Sequence, residues 1–211
     1  MIFSMLTFSI SYAAFTSKAS NTNNTFTAAA IFPTMTGTTT PTDTPTDTPT
    51  PGKIVINEVS PIGTDANDWV ELYNSGESSV DVSGWKINDA SGSAVQADVF
   101  PSVTPIPSHG FAVVVTSSTA VSGIPSNAIT ITLSTLTIGS NGLATAGDGV
   151  ILDDNTSTLV DQMSYGNVKT IFNLPAPSGA QTLERFPNGV DTDSASDWKI
   201  ASSPTLGKAN Q

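Results

Sequence analysis

The segment that decides the fold is Asp68-Trp69-Val70-Glu71-Leu72-Tyr73-Asn74-Ser75-Gly76. Apolar Val70 and Leu72 alternate in it with Glu71 and Tyr73. Successive side chains of a β-strand point to opposite faces of the sheet, so this alternation predicts a strand with one buried face. The Asn-Ser-Gly that follows is typical of a tight turn, which predicts that the strand ends there.

Further short segments of the same character follow outward from this one. They are rich in β-branched or aromatic residues and are separated by glycine, proline, asparagine and serine. They comprise residues 53–59, 85–87, 111–115, 129–133 and 149–152. No window after the N-terminal segment sustains a helical period, so the pattern predicts an all-β fold. We expect an antiparallel β-sandwich, with a small barrel as the alternative and Trp85 in the core between the sheets.

The order and spacing of these segments resemble a lamin tail domain of the prokaryotic type. The resemblance is carried by residues 54–59, 68–74, 80–87, 149–152 and 183–185, and by the closing residues 191–198 and 203–210. Leu206 departs from the pattern, since a proline is usual there. The resemblance implies an immunoglobulin-like β-sandwich that serves as a binding or interaction module and not as an enzyme. Prokaryotic members look like secreted or surface-displayed domains.

Composition excludes several classes of function. The 211 residues include 18 acidic and 7 basic side chains, a net charge of −11, no cysteine and one histidine. Without cysteine there are no disulfides, thiolate zinc sites or cysteine nucleophiles, and His109 lies in a turn where a solvated side chain is expected. The negative charge disfavours nucleic acid as a partner. We therefore expect no catalytic residues and no nucleic-acid partner.

The N-terminal residues 1–33 are expected to be a signal peptide and the segment after it. Residues 1–13 are apolar and uncharged, and Ser11-Tyr12-Ala13 has the small-x-small pattern of a cleavage site. Residues 14–28 resemble the segment after the signal in camelysin-like secreted proteins. Because a bilayer span needs about 20 apolar residues, we expect no transmembrane span in the mature protein.

Residues 34–52 are expected to be a disordered Thr/Pro-rich linker. Ten of the 17 residues from 34 to 50 are threonine, and proline recurs at every fourth position from Pro41 to Pro49. Such a sequence favours an extended, solvated chain and offers almost nothing to bury. Whether the linker is a glycosylated stalk or an undecorated tether stays open. The remaining residues, 53–211, are expected to form the lamin-tail-like domain.

Three side chains of the central strand are candidate ligand contacts: Trp69, Glu71 and Tyr73. Trp69 and Tyr73 share the face opposite Val70 and Leu72, where exposed rings could stack on sugars. This favours a carbohydrate-binding accessory domain as an alternative function. Glu71 and Glu58 could instead suggest a glycosidase pair, but we expect them to bond backbone groups or Arg185.

An acidic segment near the C-terminus supplies the other candidates: Asp191, Asp193 and Asp197. Loop carboxylates separated by a few residues can ligate Ca²⁺, although the segment does not match an EF-hand loop. The competing interpretation is a solvated turn in which the carboxylates cap backbone N–H groups. No cofactor is therefore expected, and Ca²⁺, as in a calcium-stabilised adhesion-type module, is the one candidate.

Together these observations predict an exported or surface-displayed interaction module of the cell envelope. The linker would set its reach, and the strand edges and loops of the sandwich would meet the partner. The partner is expected to be a cell-envelope protein or polysaccharide, and the location secreted or cell surface.

Overall fold

The structure, a computed structural model, describes residues 53–62, 67–90, 97–117 and 121–211. The strands in these ranges are β1 Ile54–Ser60, β2 Trp69–Asn74, β3 Lys86–Asp89, β4 Asp98–Val99, β5 Phe111–Val115, β6 Ile129–Thr132, β7 Gly149–Asp153, β8 Leu159–Ser164, β9 Thr182–Arg185 and β10 Trp198–Ala201. A short 3₁₀ helix, Ala195–Asp197, precedes β10, and the described ranges contain no α-helix. The expected signal segment, the linker and the predicted disordered N-terminal region lie outside the described residues.

The strands form two sheets, and this confirms the predicted β-sandwich. One sheet has six strands in the order β10-β9-β1-β2-β5-β6, and the other has four in the order β4-β3-β7-β8. Every strand pair is antiparallel except β5 and β6, which pair in parallel. Residues 116–128 separate β5 from β6, a connection long enough to cross back instead of forming a hairpin. Among the strands of the described ranges, the β5–β6 pair is the one exception to the predicted antiparallel arrangement.

Apolar side chains from both sheets meet in one core. Ile56 and Leu72 of the six-stranded sheet and Ile87 and Leu152 of the four-stranded sheet are fully buried in a single cluster. Trp85 packs against this cluster but is only partly buried, so it lies at the margin of the core and not at its centre. The main core therefore depends on aliphatic strand residues.

The six-stranded sheet is also buried on its outer face. Trp69, Val113 and Val115 form a second apolar cluster there, against which Ile124 and Leu206 pack. Leu206 belongs to the last part of the chain, residues 203–210, which we call the C-terminal strap. The strap therefore covers the face that the alternating sequence pattern assigned to solvent.

A β-bulge interrupts the central strand β1 and creates a place for a buried arginine. The register of β1 against β2 shifts between Ile56 and Glu58, and β1 pairs with β9 only at Glu58 and Val59. At Ile56 the missing ladder bonds are replaced by side chains. The Ile56 N–H donates to Asp161 Oδ2 at 2.7 Å, and Arg185 Nε donates to the Ile56 carbonyl at 2.7 Å.

Arg185 also links the two sheets. Its Nη2 atom donates to Asp161 Oδ1 at 2.9 Å and to Oδ2 at 2.7 Å, so β9 of one sheet is bonded to β8 of the other. The guanidinium lies 4.7 Å from the ring centroid of Trp198, in cation–π contact. Arg185 is fully buried, so its charge depends entirely on protein partners.

We predict that Arg185→Met strongly destabilises the fold. The substitution leaves the buried Asp161 carboxylate without its cation, and breaking such a pair costs about 3–5 kcal/mol in the free energy of unfolding. Urea denaturation at neutral pH measures this change. Lys169→Met removes an exposed positive charge and should change the free energy of unfolding by less than about 0.5 kcal/mol. Equal urea midpoints for the two variants would contradict the role given to Arg185.

Candidate functional site

Three glutamates lie side by side across the outer face of the six-stranded sheet. In the strand register Glu58 of β1 is opposite Glu71 of β2 on one side and Glu184 of β9 on the other. All three are at most 1% exposed. We call these residues the glutamate row. Its nearest cation is Lys199 of β10, whose Nζ lies 3.3 Å from Glu184 Oε1, while neither oxygen of Glu184 has a hydrogen bond.

The strap is held down by the glutamate row. The Thr205 N–H donates to both oxygens of Glu58, at 3.2 and 3.1 Å, and the Gly207 N–H donates to Glu71 Oε2. The strand side supplies further donors, since Thr182 Oγ1 bonds Glu58 at 2.6 Å and Asn57 Nδ2 bonds Glu71 at 2.8 Å. The predicted bonding of Glu58 and Glu71 to backbone groups is confirmed, but Arg185 is not their partner, because it bonds the aspartates.

Burial makes these two carboxyl groups weak acids. Loss of solvent raises the pKa of Glu71 to about 8, although the bonds from Asn57 and Gly207 oppose the shift and the nearby Glu58 and Glu184 add to it. Burial also raises the pKa of Glu58, against the lowering effect of its bonds with Thr182 and Thr205. Near neutral pH Glu71 therefore retains a proton that an exposed glutamate would lose.

Asn210 fixes the end of the strap. Its Nδ2 atom donates to the carbonyl of Asn57 at 3.0 Å and to that of Arg185 at 2.8 Å, while Thr205 Oγ1 lies 2.8 Å from its Oδ1. No pattern in the sequence points to a separate role for Asn210 or Thr205. The only signal for them was their place in the closing segment 203–210, which resembled the family pattern as a whole.

A cleft lies between the strap and residues 121–123. Its volume is about 770 Å³, within the usual range for sites that bind a single ligand. Apolar side chains provide much of the wall, and Asn67, Ser122 and Gln211 add polar groups. Lys208 is the one charged residue among the described residues that line it. The cleft therefore combines apolar surface, hydrogen-bonding groups and a single positive charge.

The predicted aromatic platform does not form. Trp69 lies at the cleft, but it is 2% exposed, because Val113 and Val115 pack beside it. Tyr73 is partly buried and packs on Phe111, with ring centroids 4.8 Å apart. The expectation that Trp69 presents an exposed ring is wrong, since the outer face of the sheet is covered. Stacking on a sugar requires an accessible ring face, which Trp69 does not offer.

Glu71 also has a different position from the one expected for a ligand contact. Its side chain is fully buried, and both of its oxygens are hydrogen-bonded within the protein. Tyr73 donates or accepts a hydrogen bond with His109 Nδ1 at 3.2 Å, and Glu77 lies 3.3 Å from the other ring nitrogen, on an exposed part of the surface. The structure therefore separates the three candidates of β2 instead of gathering them at one site.

The acidic segment near the C-terminus surrounds protein cations. Asp191 Oδ1 lies 3.1 Å from Arg185 Nη1, and Asp191 Oδ2 lies 3.0 Å from Lys53 Nζ. Asp197 accepts from the N–H and the hydroxyl of Thr192, both at 2.7 Å. Asp193 is exposed and has a positive φ of 53°. The structure therefore joins Asp191 and Asp197 to the cluster around Arg185 and leaves Asp193 at the surface.

These contacts set the acidity of the segment. Burial raises the pKa of Asp191 and of Asp197. Lys53 and Arg185 outweigh burial at Asp191, and Thr192 and Arg185 outweigh it at Asp197, so both pKa values lie below the usual range. Among the described residues, no group of three or more acidic or histidine side chains is placed to hold a metal ion. Calcium stays a prediction, with protein cations beside two of its three proposed ligands.

Comparison with known families agrees with this architecture. The family model of the lamin tail domain matches residues 47–167. Because the match spans more than half of the chain, the chain belongs to the lamin tail domain family, whose members are immunoglobulin-like interaction modules. No curated protein is similar enough to be matched to it. The matched range ends before β9, β10 and the strap, which supply Arg185 and close the outer face.

A separate structural finding concerns membranes. None of the described residues belongs to a helix that is long and apolar enough to cross a bilayer.

We predict that Asp197→Asn destabilises the domain at neutral pH and much less in acid. Asp197 accepts bonds from Thr192 and Ser194 beside Arg185, so loss of its charge should cost about 1–3 kcal/mol in the free energy of unfolding. The folded-state pKa lies below the unfolded value of 3.8, so this stabilisation is present above that pH and is lost as the pH falls through the folded-state pKa.

Urea denaturation at about pH 7 and pH 3 measures the effect. The difference between the variant and the natural protein should narrow at the lower pH. Asp193→Asn is the matched control, because Asp193 is exposed and asparagine tolerates its positive φ. A cost that stays constant with pH would show that the charge of Asp197 is not the stabilising feature.

Proposed function

We propose that this chain is a non-enzymatic interaction module that is exported and displayed at the cell envelope. Membership of the lamin tail domain family supports an interaction role. The apolar N-terminal segment and the Thr/Pro-rich residues 34–52 support export and display on an extended tether. The domain itself, residues 53–211, carries a net charge of −10 from 6 basic and 16 acidic side chains, which disfavours nucleic acid as its partner.

The cleft beside the strap is the observation that carries the proposal. At about 770 Å³ it is large enough for a few residues of an extended partner segment. Ile62, Val121 and Leu206 suit an apolar side chain, and Lys208 suits a carboxylate near it. We infer that the partner presents a short protein segment with an apolar anchor followed or preceded by an acidic group. The buried ring of Trp69 gives no corresponding support to a polysaccharide partner.

The buried carboxylates support a structural role and not a catalytic one. Glu58 and Glu71 are register neighbours that lie beneath the strap, whereas glycosidase carboxyl groups flank a cleft that is open to the sugar. Their hydrogen bonds hold strands and the strap together. A binding module with a structurally engaged interior is therefore the better account of these groups.

We predict that the full chain sediments with purified cell envelopes and that the cleft is responsible. Lys208→Glu reverses the charge at the cleft and should reduce the sedimented fraction several-fold. Lys169→Glu makes the same change at an exposed residue outside the cleft and should leave sedimentation unchanged. Co-sedimentation followed by protein quantification measures both variants against the natural chain.

The same experiment separates the alternatives. Loss of sedimentation with a chelator would instead support a calcium-stabilised module, and release by soluble envelope polysaccharide would support a carbohydrate ligand. A chain that stays in the supernatant under all conditions would contradict the envelope-binding proposal.

Export makes a second prediction. If residues 1–13 are a cleaved signal, the secreted protein should begin at Ala14, and intact-mass measurement of protein recovered from the medium or the cell surface tests this. Replacing Ala13 with a bulky residue should block cleavage at that bond, because signal cleavage sites require small side chains. Recovery of the protein only from the cytoplasm would contradict the proposed location.

A further inference from the structure

The hydrogen bonds around the glutamate row can accommodate a proton on Glu58. Asn210 Nδ2 donates to two backbone carbonyls, so its Oδ1 must be an acceptor, and Thr205 Oγ1 lies 2.8 Å from it. The same Thr205 Oγ1 lies 2.9 Å from Glu58 Oε2. A hydroxyl has one hydrogen and cannot donate to both acceptors. If it donates to Asn210, the short contact with Glu58 is satisfied when Glu58 itself carries a proton.

The charges that face the row point in the same direction. Glu71 is flanked by Glu58 on β1 and by the uncharged Val113 on β5, and the strap presents only the backbone of Gly207 to it. Beyond Glu58 lie Glu184 on β9 and then Lys199 on β10. Three buried carboxyl groups therefore face one ammonium group, and that group lies beside Glu184 at the far end of the row.

The strap places no charged side chain against the glutamate row. Lys208 is its one charged side chain, and it is exposed. Full ionisation of Glu58 and Glu71 would leave two buried negative charges in adjacent strands under a segment that offers only N–H and hydroxyl donors. Lifting the strap would return these carboxylates to water, where ionisation costs nothing. The closed strap and the fully ionised row therefore oppose each other.

We propose that the C-terminal strap is a pH-sensitive latch, closed while Glu58 and Glu71 together retain a proton and opened when that proton is lost. Opening releases the proton to solvent, so a rise in pH favours the open strap. The two glutamates are opposite each other in the strand register, and the charge of Glu58 raises the pKa of Glu71 further, so the state of one affects the other. The pKa of Glu71 rises from an ordinary value of 4.5 to about 8 in the closed state, so the closed strap loses stability across this pH range and no further above it.

Opening of the strap also changes the cleft. The strap residues Ser203, Pro204, Thr205 and Leu206 line it, so opening removes one of its walls. This consequence rests on the proposed function of the cleft, whereas the movement of the strap does not. If both hold, the module binds its partner best in mildly acidic surroundings and releases it as the pH rises.

Amide hydrogen exchange of the full chain tests the latch without any partner. The readouts are the amides of Thr205 and Gly207, with rates corrected for the intrinsic effect of pH. Between about pH 5 and pH 8 their protection should fall by up to tenfold per pH unit and then level off, because the closed state binds the proton more tightly. The amides of Val113 and Val114 in β5 should be better protected than the strap amides at every pH, because they exchange only when the domain unfolds.

Two variants identify the responsible groups. Glu71→Gln removes one titrating carboxyl group, so the fall in strap protection should shrink by at least tenfold in total. Glu184→Gln removes a neighbouring charge that accepts no hydrogen bond, and it also ends the ion pair with Lys199, so it should lower the total fall as well. Glu77→Gln changes an exposed glutamate outside the row and should retain the full pH dependence.

The outcomes that overturn the latch are distinct. Strap protection that is independent of pH would exclude it, and so would strap protection equal to that of Val113 and Val114 at every pH, which would show that the strap opens only by global unfolding. A full fall retained in both Glu71→Gln and Glu184→Gln would exclude the row as its cause. Because no partner is present, none of these outcomes bears on whether the cleft binds, and failure of envelope sedimentation does not bear on the strap.

Discussion

The buried ion pair between Arg185 and Asp161 is the interaction on which the sandwich depends. β1 pairs with β9 only at Glu58 and Val59, beyond the bulge, and these two side chains bond the Ile56 N–H and carbonyl in place of β9. The same pair joins β9 to β8 and therefore one sheet to the other. A hydrophobic core fixes how closely two sheets pack but is tolerant of sliding, whereas a bidentate pair at a bulge fixes one register. Asp191 and Asp197 then extend the cluster to the chain that leads into β10.

The acidic character of the chain has a structural use throughout the described domain. Buried aspartates accept backbone N–H groups of loops that have no ladder partners: Asp68 bonds Leu143, Asp89 bonds Ser140, and Asp148 bonds Ala144. A carboxylate is the side chain best suited to satisfying such donors, since it offers two acceptor oxygens with several lone pairs. The composition suggests that this negative charge is available to a ligand. In the structure the buried aspartates instead use much of it to hold loops on the sandwich.

Sequence patterns predicted the aliphatic strands well and the polar ones poorly. Alternation identified β2 and β6, whereas β5 was found as a short apolar run, because both of its faces are buried. The apolar pattern did not predict β8 and β9 as strands, because Asp161, Glu184 and Arg185 interrupt it. All three side chains are nevertheless buried. Periodicity also reports only that a residue alternates and not what covers the second face. It could not show that the strap, which follows Glu71 by more than 130 residues in the chain, covers that side chain. The hydrogen bond from the Gly207 N–H to Glu71 shows this contact.

The two buried acidic clusters show why the same residue type behaves in opposite ways within one fold. Around Arg185, bonds from Lys53 to Asp191 and from Thr192 to Asp197 act together with the guanidinium and outweigh burial, so the pKa values of Asp191 and Asp197 fall. Burial raises the pKa of Asp161, although Arg185 opposes the shift. Along the glutamate row the donors are backbone N–H groups and hydroxyls, which stabilise a carboxylate without neutralising it, and burial outweighs them. Asp191 and Asp197 stabilise the fold most when they are ionised, whereas the glutamate row does so when it retains a proton. The two sheets are therefore joined by an ion pair. The strap over the outer face is joined to the sheet by hydrogen bonds that are most stable while the glutamate row retains a proton.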